Sequence, residues 1–345
     1  MLASVIIVNF NGKQFLDRCL AAVQQQELGE PFEVILVDNA SSDGSVAAVR
    51  QAFPEGRVIA AGRNLGFAGG NNLGMRAARG RHIVLLNNDT RVRPGWLRAL
   101  VAAAEASPDA GAIAAKLMFL DPPGVIQNAG SLLLSDGSGA DRGFREADRG
   151  QYDGREEVFG ACGASVLYRR EMLDDVGAFD ETFFMYYEDT DLNWRMRLRG
   201  WKVVYEPAAV VDHVHAGSSQ EWSPFFTFHV DRNRMFMLLK NASAPMVVRS
   251  YASFARLAGA GAARALRARL RERQLLAASL HLALPAGGRA EDRPSRAAIH
   301  VKVAGSLAAH LPEMLAKRAH IRRHRTVPDS EIERWFYPRE RWAAR

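Results

Sequence analysis

The sequence lacks most of what marks a small secreted, metal-stapled or membrane-spanning protein. Its 345 residues hold two cysteines, Cys19 and Cys162, each inside an apolar stretch. Two such thiols form neither a disulfide framework nor a zinc site, and they point to a reducing compartment. No uncharged apolar run is long enough to span a bilayer. The opening Met1-Leu-Ala-Ser-Val-Ile-Ile-Val has no basic leader and meets polar Asn9 at once, so it reads as a first strand rather than a signal peptide. No internal repeat and no nucleic-acid-binding motif is present, so solenoids and nucleic-acid readers drop out. No G-x-G-x-x-G follows an expected strand, which argues against a dinucleotide oxidoreductase.

What is present fits a globular α/β protein. Hydrophobic residues make up 48% and charged residues 24%, so the chain can bury a sizeable core. The net charge of +7 is unevenly spread. Residues 249–345 hold 20 Lys and Arg against 8 Asp and Glu, a balance of +12, which leaves 25 against 30, or −5, for residues 1–248. The basic end is a candidate for an anionic surface.

Strand and helix patterns alternate from the start. Residues 4–8, 32–37, 58–60 and 82–86 are short apolar runs rich in β-branched side chains and Leu, and residues 13–25 carry Phe15, Leu16, Cys19, Leu20 and Val23 at helical spacing. Repeated strand–helix alternation predicts a doubly wound, mostly parallel sheet with flanking helices. A helix is expected from Pro94 to about Ala106, a strand over 110–117, an irregular insertion over 121–157 with a hairpin-like run at 131–134, and a strand pair around Pro207. From Arg249 the composition shifts to Ala, Arg and Leu. Arg264, Arg267 and Arg271 share one helical face and Leu266 and Leu270 another, broadened on the basic side by Arg269 and Arg273. That pattern suits a helix on an anionic bilayer or a solvated bundle. Residues 285–297 read as a linker and 301–324 as a further basic helix, while the aromatic end, 333–342, suits an interfacial contact or docking back onto the first domain.

Polar residues recur just past the strand ends: Asn9, Asp38, Asn64 and Asp89. In open α/β sheets ligands bind there, and a carboxylate such as Asp89 can hold a cation that holds a diphosphate; the plain alternative is turn chemistry. Glu188, Asp189 and Asp191 follow two aromatic pairs and open an expected helix. Acids are common at helix starts, but this apolar approach desolvates a carboxylate and suits a general base. His213 and His215 at a strand end are either structural or metal-binding. Asp231-Arg232-Asn233-Arg234 opens an expected amphipathic helix, whose arginines could grip phosphate or be solvated.

In order, Val5-Ile-Ile-Val-Asn-Phe-Asn-Gly12, Val37-Asp-Asn-Ala-Ser-Ser-Asp-Gly-Ser45, Asn64-Leu-Gly-Phe-Ala-Gly-Gly-Asn-Asn72, Leu85-Leu-Asn-Asn-Asp-Thr90, Gly177-Ala-Phe-Asp-Glu181 and Phe183-Phe-Met-Tyr-Tyr-Glu-Asp-Thr-Asp-Leu192 resemble the family 2 glycosyltransferases, and within them the bacterial rhamnosyltransferase-like members. The resemblance covers roughly residues 3–240. It implies a GT-A fold over 1–240, with a nucleotide half at about 1–117 and an acceptor half at about 118–240, followed by a basic helical extension over 241–345. It implies inverting transfer from a nucleotide-diphosphate sugar, dTDP-L-rhamnose or another NDP-hexose, to a saccharide or polyprenyl-diphosphate-linked acceptor in surface polysaccharide synthesis. Asp189 would be the catalytic base. Asn9, Asn11, Asp38, Asn64, Gly66, Asn71 and Asn88 would frame the nucleotide sugar, and Glu188, Asp191, Trp194 and Arg232 the acceptor. Mg²⁺ or Mn²⁺ would sit on Asp89 and His213, with His215 in reserve. Where the family has Asp-x-Asp, this chain has Asn87-Asn88-Asp89, which weakens two-carboxylate chelation. The implied location is cytoplasmic, peripheral on the inner membrane face through the C-terminal helices, with no nucleic-acid partner.

Two other classes compete. Nucleotidyl transfer also uses strand-end carboxylates and a metal, but it needs a basic Gly-rich loop, and residues 64–72 contain no Lys or Arg. A non-catalytic sugar-nucleotide-binding scaffold protein of a polysaccharide assembly complex is the principal alternative.

Overall fold

The computed structural model describes residues 1–53, 56–214, 223–278 and 296–343. It divides into two compact units, one of residues 1–220 with 320–345, the other of residues 221–319. The expected boundary after residue 240 therefore falls inside the second unit, and the chain's end returns to the first.

The first unit follows the expected alternation: β1 (Ala3–Asn9), α1 (Lys13–Gln24), β2 (Phe32–Asp38), α2 (Ser45–Ala52), β3 (Arg57–Ala60), α3 (Gly66–Ala77), β4 (His82–Asn87), β5 (Thr90–Val92), α4 (Trp96–Ala106) and β6 (Ala110–Phe119). After these come β7 (Ile126–Asn128), β8 (Ser131–Leu134), β9 (Gly139–Asp141), β10 (Glu156–Glu157), β11 (Ser165–Arg169), α5 (Arg170–Val176), α6 (Glu188–Leu198) and β12 (Lys202–His213). Among the described residues ten strands form one sheet, along the order β10-β12-β6-β11-β4-β1-β2-β3, with β5 against β12 and β7 against β6. The run β3-β2-β1-β4 is parallel, and β11 enters antiparallel between β4 and β6.

Period-two patterning explains the two layers. Val5, Ile7, Leu36, Val84 and Leu86 face one core, with Leu16, Cys19 and Leu20 of α1 and Trp96, Leu97 and Leu100 of α4. Ile6, Ile35, Val37, Ile83 and Leu85 face the other, with Met75 of α3, Met172 of α5, and Leu192 and Met196 of α6. The sheet is buried on both faces, which is why its strands read as continuous apolar runs.

α3 begins at Gly66, inside the 64–72 motif. Its glycines serve close approach, since a Cβ on Gly74 would lie 2.4 Å from Ile6 Cγ2 and one on Gly70 2.8 Å from Val8 Cγ1. The 121–157 insertion is ordered, with β8 and β9 forming a small sheet completed by β13 (Phe336–Tyr337) from the chain's end. The strand pair around Pro207 is a single strand, β12, whose register against β6 shifts between Glu206 and Val210.

The end of the chain docks on the first unit. Tyr337 O accepts from Ser135 N at 2.9 Å, and Trp335 stacks on the Arg197 guanidinium at 4.2 Å. Phe336 meets Trp194 edge-on at 6.4 Å, and Leu198 O accepts from Thr326 N and Val327 N.

The second unit is helical: α7 (Pro224–Asn241), α8 (Ala244–Ala278) and α9 (Arg296–Ala309), with α10 (Leu311–His324) leading out of it. Met235, Phe236, Ile299, Val303, Leu307 and Met314 are among its buried side chains. α7 starts seven residues before the expected Asp231, at a Ser223 cap that accepts from Phe226 N. The expected helix over 301–324 is two helices, broken at His310. The side chains of Arg264, Leu266, Arg269, Leu270, Arg271 and Arg273 and most of the 285–297 linker lie outside the described residues.

Candidate active site

The carboxyl ends of β1, β2 and β4 carry Asn9, Asp38 and Asn87, and Asn88 and Asp89 follow at once. Asn88 Nδ2 donates to Asn9 Oδ1 at 2.7 Å, and Asn9 Nδ2 donates to Ser45 Oγ at 2.9 Å and Ser41 Oγ at 3.1 Å. Both asparagines are buried and tie the strand ends to the 41–45 loop. Gly12 is required beside them, because a Cβ there would lie 2.1 Å from Asn88 Nδ2. Asn11, exposed and left-handed at φ 51, accepts from Ser42 N at 2.8 Å. Asp38 accepts from Ser41 N at 3.2 Å. Asn64 caps the turn by accepting from Gly66 N at 2.9 Å, and Asn71 donates to Phe67 O one helical turn back. Of the seven residues expected around the nucleotide, Asn9 bonds Asn88 and Gly66 bonds Asn64, while Asn11, Asp38 and Asn71 bond residues outside the set.

Asp89 and His213 meet at this end of the sheet. His213 Nε2 lies 3.0 Å from Asp89 Oδ1, and His213 Nδ1 lies 2.9 Å from Gln127 Oε1. Strand pairing sets this geometry: β5 runs against β12 with His213 opposite Thr90 and Asp212 opposite Arg91. Burial alone would raise the Asp212 carboxyl, but Arg93 at 2.7 Å and Arg91 at 2.9 Å hold it below the ordinary range and pin the register. A divalent ion would require Nδ1–H to be donated to Gln127 and Nε2 to join Asp89 on the metal, as in an oriented metal-ligating histidine; without an ion, Nε2–H can donate to Asp89 instead. The 3.0 Å separation also matches adjacent ligand atoms around an octahedral ion with bonds of about 2.1 Å. One carboxylate oxygen and one imidazole nitrogen fit a divalent ion that keeps its other positions for phosphate and water. Among the described residues no group of three or more His, Cys, Asp or Glu converges on a metal position. His215 lies outside the described residues.

The acid pair is built differently. Phe184, Tyr186 and Tyr187 all have left-handed backbones, with φ of 65, 68 and 69. Each costs on the order of 1–2 kcal/mol for an L residue. Strain of this kind collects at functional sites, and here it sets the start of α6. The strained segment locks onto α3: Phe184 O accepts from Ala68 N at 3.0 Å, and Gly66 leaves no room for a Cβ beside it. At the helix start Asp189 Oδ2 accepts from Gly163 N at 3.0 Å, and Oδ1 accepts from Thr190 N at 2.6 Å and Thr190 Oγ1 at 3.1 Å. Burial raises its carboxyl above the ordinary 3.8, and the Gly163 and Thr190 donors only partly offset this. Glu188 is buried, its Oε2 has no hydrogen-bond partner, and burial followed by the Asp189 charge pushes it well up.

The other acceptor candidates separate. Asp191 is wholly buried and paired with Arg195 at 2.8 Å, and Arg195 also donates to Val176 O and Ala178 O. Trp194 is buried between Phe159 and Phe336. In this structure Asp191 faces Arg195, and Trp194 faces two aromatic rings of the protein itself. Arg232 belongs to the second unit, where its guanidinium stacks on Phe228 at 5.1 Å and Phe236 at 5.5 Å. Sequence reasoning missed Gln127, the Gly163 amide and Thr190, which act on His213 and Asp189 through contacts far apart in the chain or through backbone atoms. Cys19 is buried, and burial pushes its thiol up to about 12, so it is unreactive.

A doubly wound sheet with a nucleotide-side edge, a strand-end carboxylate and an acid-led helix beyond it is the GT-A type of transferase. The model of Glycosyl transferase family 2 matches residues 4–177, and the chain belongs to that family. Over 242 residues it is 33% identical to the N-acetylglucosaminyl-diphospho-decaprenol L-rhamnosyltransferase of Mycobacterium tuberculosis (strain ATCC 25618 / H37Rv), covering 62% of this chain and 76% of that protein. Its fold is similar to the crystal structure of S. aureus TarS, at TM-score 0.51 and 17% identity over 72% of this chain; it spans only 41% of the TarS chain. It is also similar to GalNAc-T7 with UDP, GalNAc and Mn²⁺, at TM-score 0.54 and 15% identity, covering 72% of this chain and 53% of that one. The chain is thus a rhamnosyltransferase-like glycosyltransferase.

Proposed function

We propose that this glycosyltransferase moves a hexose, L-rhamnose from dTDP-L-rhamnose first among the candidates, with inversion onto a saccharide or polyprenyl-diphosphate-linked acceptor of a surface polysaccharide. The observation that carries the reading is the pair of separated carboxylates in one unit: Asp89 against an oriented imidazole, and Asp189 raised and ringed by amides. The named acceptor of the mycobacterial relative, a diphospho-decaprenol sugar, supports the acceptor class.

In the proposed reaction the acceptor hydroxyl oxygen attacks the anomeric carbon as the bond to the diphosphate oxygen breaks. The bonding pair leaves on the diphosphate, and the hydroxyl proton passes to Asp189. A carboxylate held above its ordinary range is a stronger base, and Gly163 and Thr190 fix its orientation. Glu188 adjoins it as an acceptor contact. Asp89 and His213 would hold Mg²⁺ or Mn²⁺, which when bound neutralises charge on the leaving diphosphate. Asp38, Asn64 and Gly66 line the nucleotide side, and Asn9, Asn11, Asn71 and Asn88 keep that edge in shape. One displacement without a protein nucleophile gives inversion, unlike the paired carboxylates of glycoside hydrolases.

The test is product stereochemistry. Proton NMR of the first product formed from an α- or β-configured NDP-sugar should show the opposite anomer; retention would overturn the mechanism. No helix among the described residues is long and apolar enough to cross a membrane. Contact of the basic C-terminal helices with an anionic membrane face is part of the proposal. Unchanged sedimentation with anionic vesicles after deleting residues 249–345 would remove it.

A further inference from the structure

The two residues that donate to the Asp189 carboxylate, Gly163 and Thr190, both rest on the small sheet. Gly163 ends a loop that begins at Gly160, where Ser131 N of β8 donates to Gly160 O at 2.8 Å and Gly160 N donates back to Ser131 O at 3.3 Å. Thr190 lies against β9, since a Cβ on Gly139 would come within 3.0 Å of its Oγ1. α6 ties the loop from its other side: Asn193 Oδ1 accepts from Ala161 N at 3.2 Å, and Asn193 Nδ2 donates to Ala161 O at 2.9 Å.

β8 and β9 by themselves are a two-stranded hairpin, an arrangement that is marginal on its own. The end of the chain supplies the third strand. Phe336 pairs with Leu133 and Tyr337 with Leu134, and Arg339 forms an ion pair with Asp136 in the β8–β9 turn. The Phe336 ring also meets Trp194 of α6, and Trp194 meets Phe159, the residue before Gly160, edge-on at 6.5 Å. Trp194 Nε1 has no hydrogen-bond partner among the described residues, so ring packing holds the indole. Phe336 therefore touches both supports of Asp189 at once, the small sheet through its backbone and α6 through its ring. Leu133, Phe159, Trp194 and Phe336 lie outside the two core layers of the large sheet, so loss of their contact loosens this corner and leaves the large sheet packed.

We propose that the docked end is a strap that positions the catalytic base, with Phe336 as its positioning residue. Phe336 touches no reacting atom; it acts through β8 and Trp194 on the loop and the helix start that orient Asp189. The proposal rests on the reading of Asp189 as the base. A base displaced by about 1 Å from the hydroxyl it serves loses up to roughly 100-fold in rate. The nucleotide edge, built from the ends of β1, β2 and β4, shares no residue with the strap.

Hydrogen–deuterium exchange of the full chain tests the strap without turnover. Phe336→Ala should speed exchange of the Gly163 and Thr190 amides roughly tenfold, with β1 and β4 unchanged and Phe336→Tyr close to wild type. Steady-state kinetics then links this corner to the chemistry, with dTDP-L-rhamnose as donor and a polyprenyl-diphosphate-linked N-acetylglucosamine as acceptor. In Phe336→Ala, kcat should fall roughly 10–100-fold while the donor KM stays within about twofold, and Phe336→Tyr should restore it. Adding Phe336→Ala to Asp189→Asn should cost no further rate, because the two act as one unit. If Phe336→Ala does not fold, Phe336→Leu, which keeps the apolar bulk, takes its place with the same expected directions. Unchanged exchange at Gly163 and Thr190, exchange that speeds equally in β1 and β4, faster exchange with kcat intact, or a full further loss on top of Asp189→Asn would overturn the strap. Undiminished turnover in Asp189→Asn, or none in wild type, would instead count against the reading of the base and its substrates, and exchange would still decide the strap.

Discussion

Two carboxylates in the first unit carry the account, and they are held by opposite means. Asp89 ends a strand of the sheet and faces an imidazole whose ring is fixed by Gln127, a polar setting suited to sharing a cation with diphosphate. Asp189 starts a helix behind a strained aromatic turn, faces backbone amides, and has only another acid beside it. The first setting favours binding of positive charge, and the second raises proton affinity. On the proposed mechanism, that difference would let the first carboxylate serve the leaving group and the second take the acceptor's proton.

The comparison breaks most sharply at Asp189. Asp189→Asn should lower turnover by roughly 10²–10⁴-fold while nucleotide affinity stays within twofold, read by steady-state kinetics and calorimetry. The wild-type acid limb should lie above 3.8, with kcat/KM falling as the pH drops through the raised value and the base is protonated. Gln127→Ala tests the other side. Without the partner that orients His213, the Mn²⁺ dissociation constant in the presence of nucleotide should rise roughly 10–100-fold, with Asp189's acid limb unmoved.

Glu188→Gln should separate two neighbouring acids. The native protein keeps a proton on Glu188 that the unfolded chain releases above 4.5, so this group's contribution to stability falls as pH climbs from there toward the raised value. Removing the titration should raise Tm at pH 8 by roughly 2–4 °C, and by less at pH 5, with turnover reduced far less than in Asp189→Asn. The smallest effect is expected from Trp335→Ala at the docked end. Losing the stack on Arg197 should cost about 0.5–2 kcal/mol in urea unfolding and leave nucleotide affinity unchanged.

The sequence disclosed the parts whose signals are local. Strand runs, the polar residues after them and the acids opening α6 follow from periodicity and turn chemistry within a few residues. The hairpin-like run at β8 and the docking of the chain's end were legible, but their pairing was not, because β13 lies some 200 residues beyond β8. The role of Gly70 and Gly74 was not legible: they let α3 press against β1. Gln127 and Gly163 gave no signal at all: one acts across β6 and β12 on His213, the other through its backbone N–H. Asp191 and Trp194 were read as site residues from their position, and their burial was not legible from the sequence.

The most direct test is a calorimetric titration of dTDP and UDP, with and without Mn²⁺, into wild type, Asp89→Ala and Asp189→Asn. The division of labour predicts metal-enhanced binding in wild type and Asp189→Asn, and its loss in Asp89→Ala; a ligand at 100 times its dissociation constant adds about 2.7 kcal/mol of stabilisation. Metal-enhanced binding that survives in Asp89→Ala, or disappears in Asp189→Asn, would contradict it.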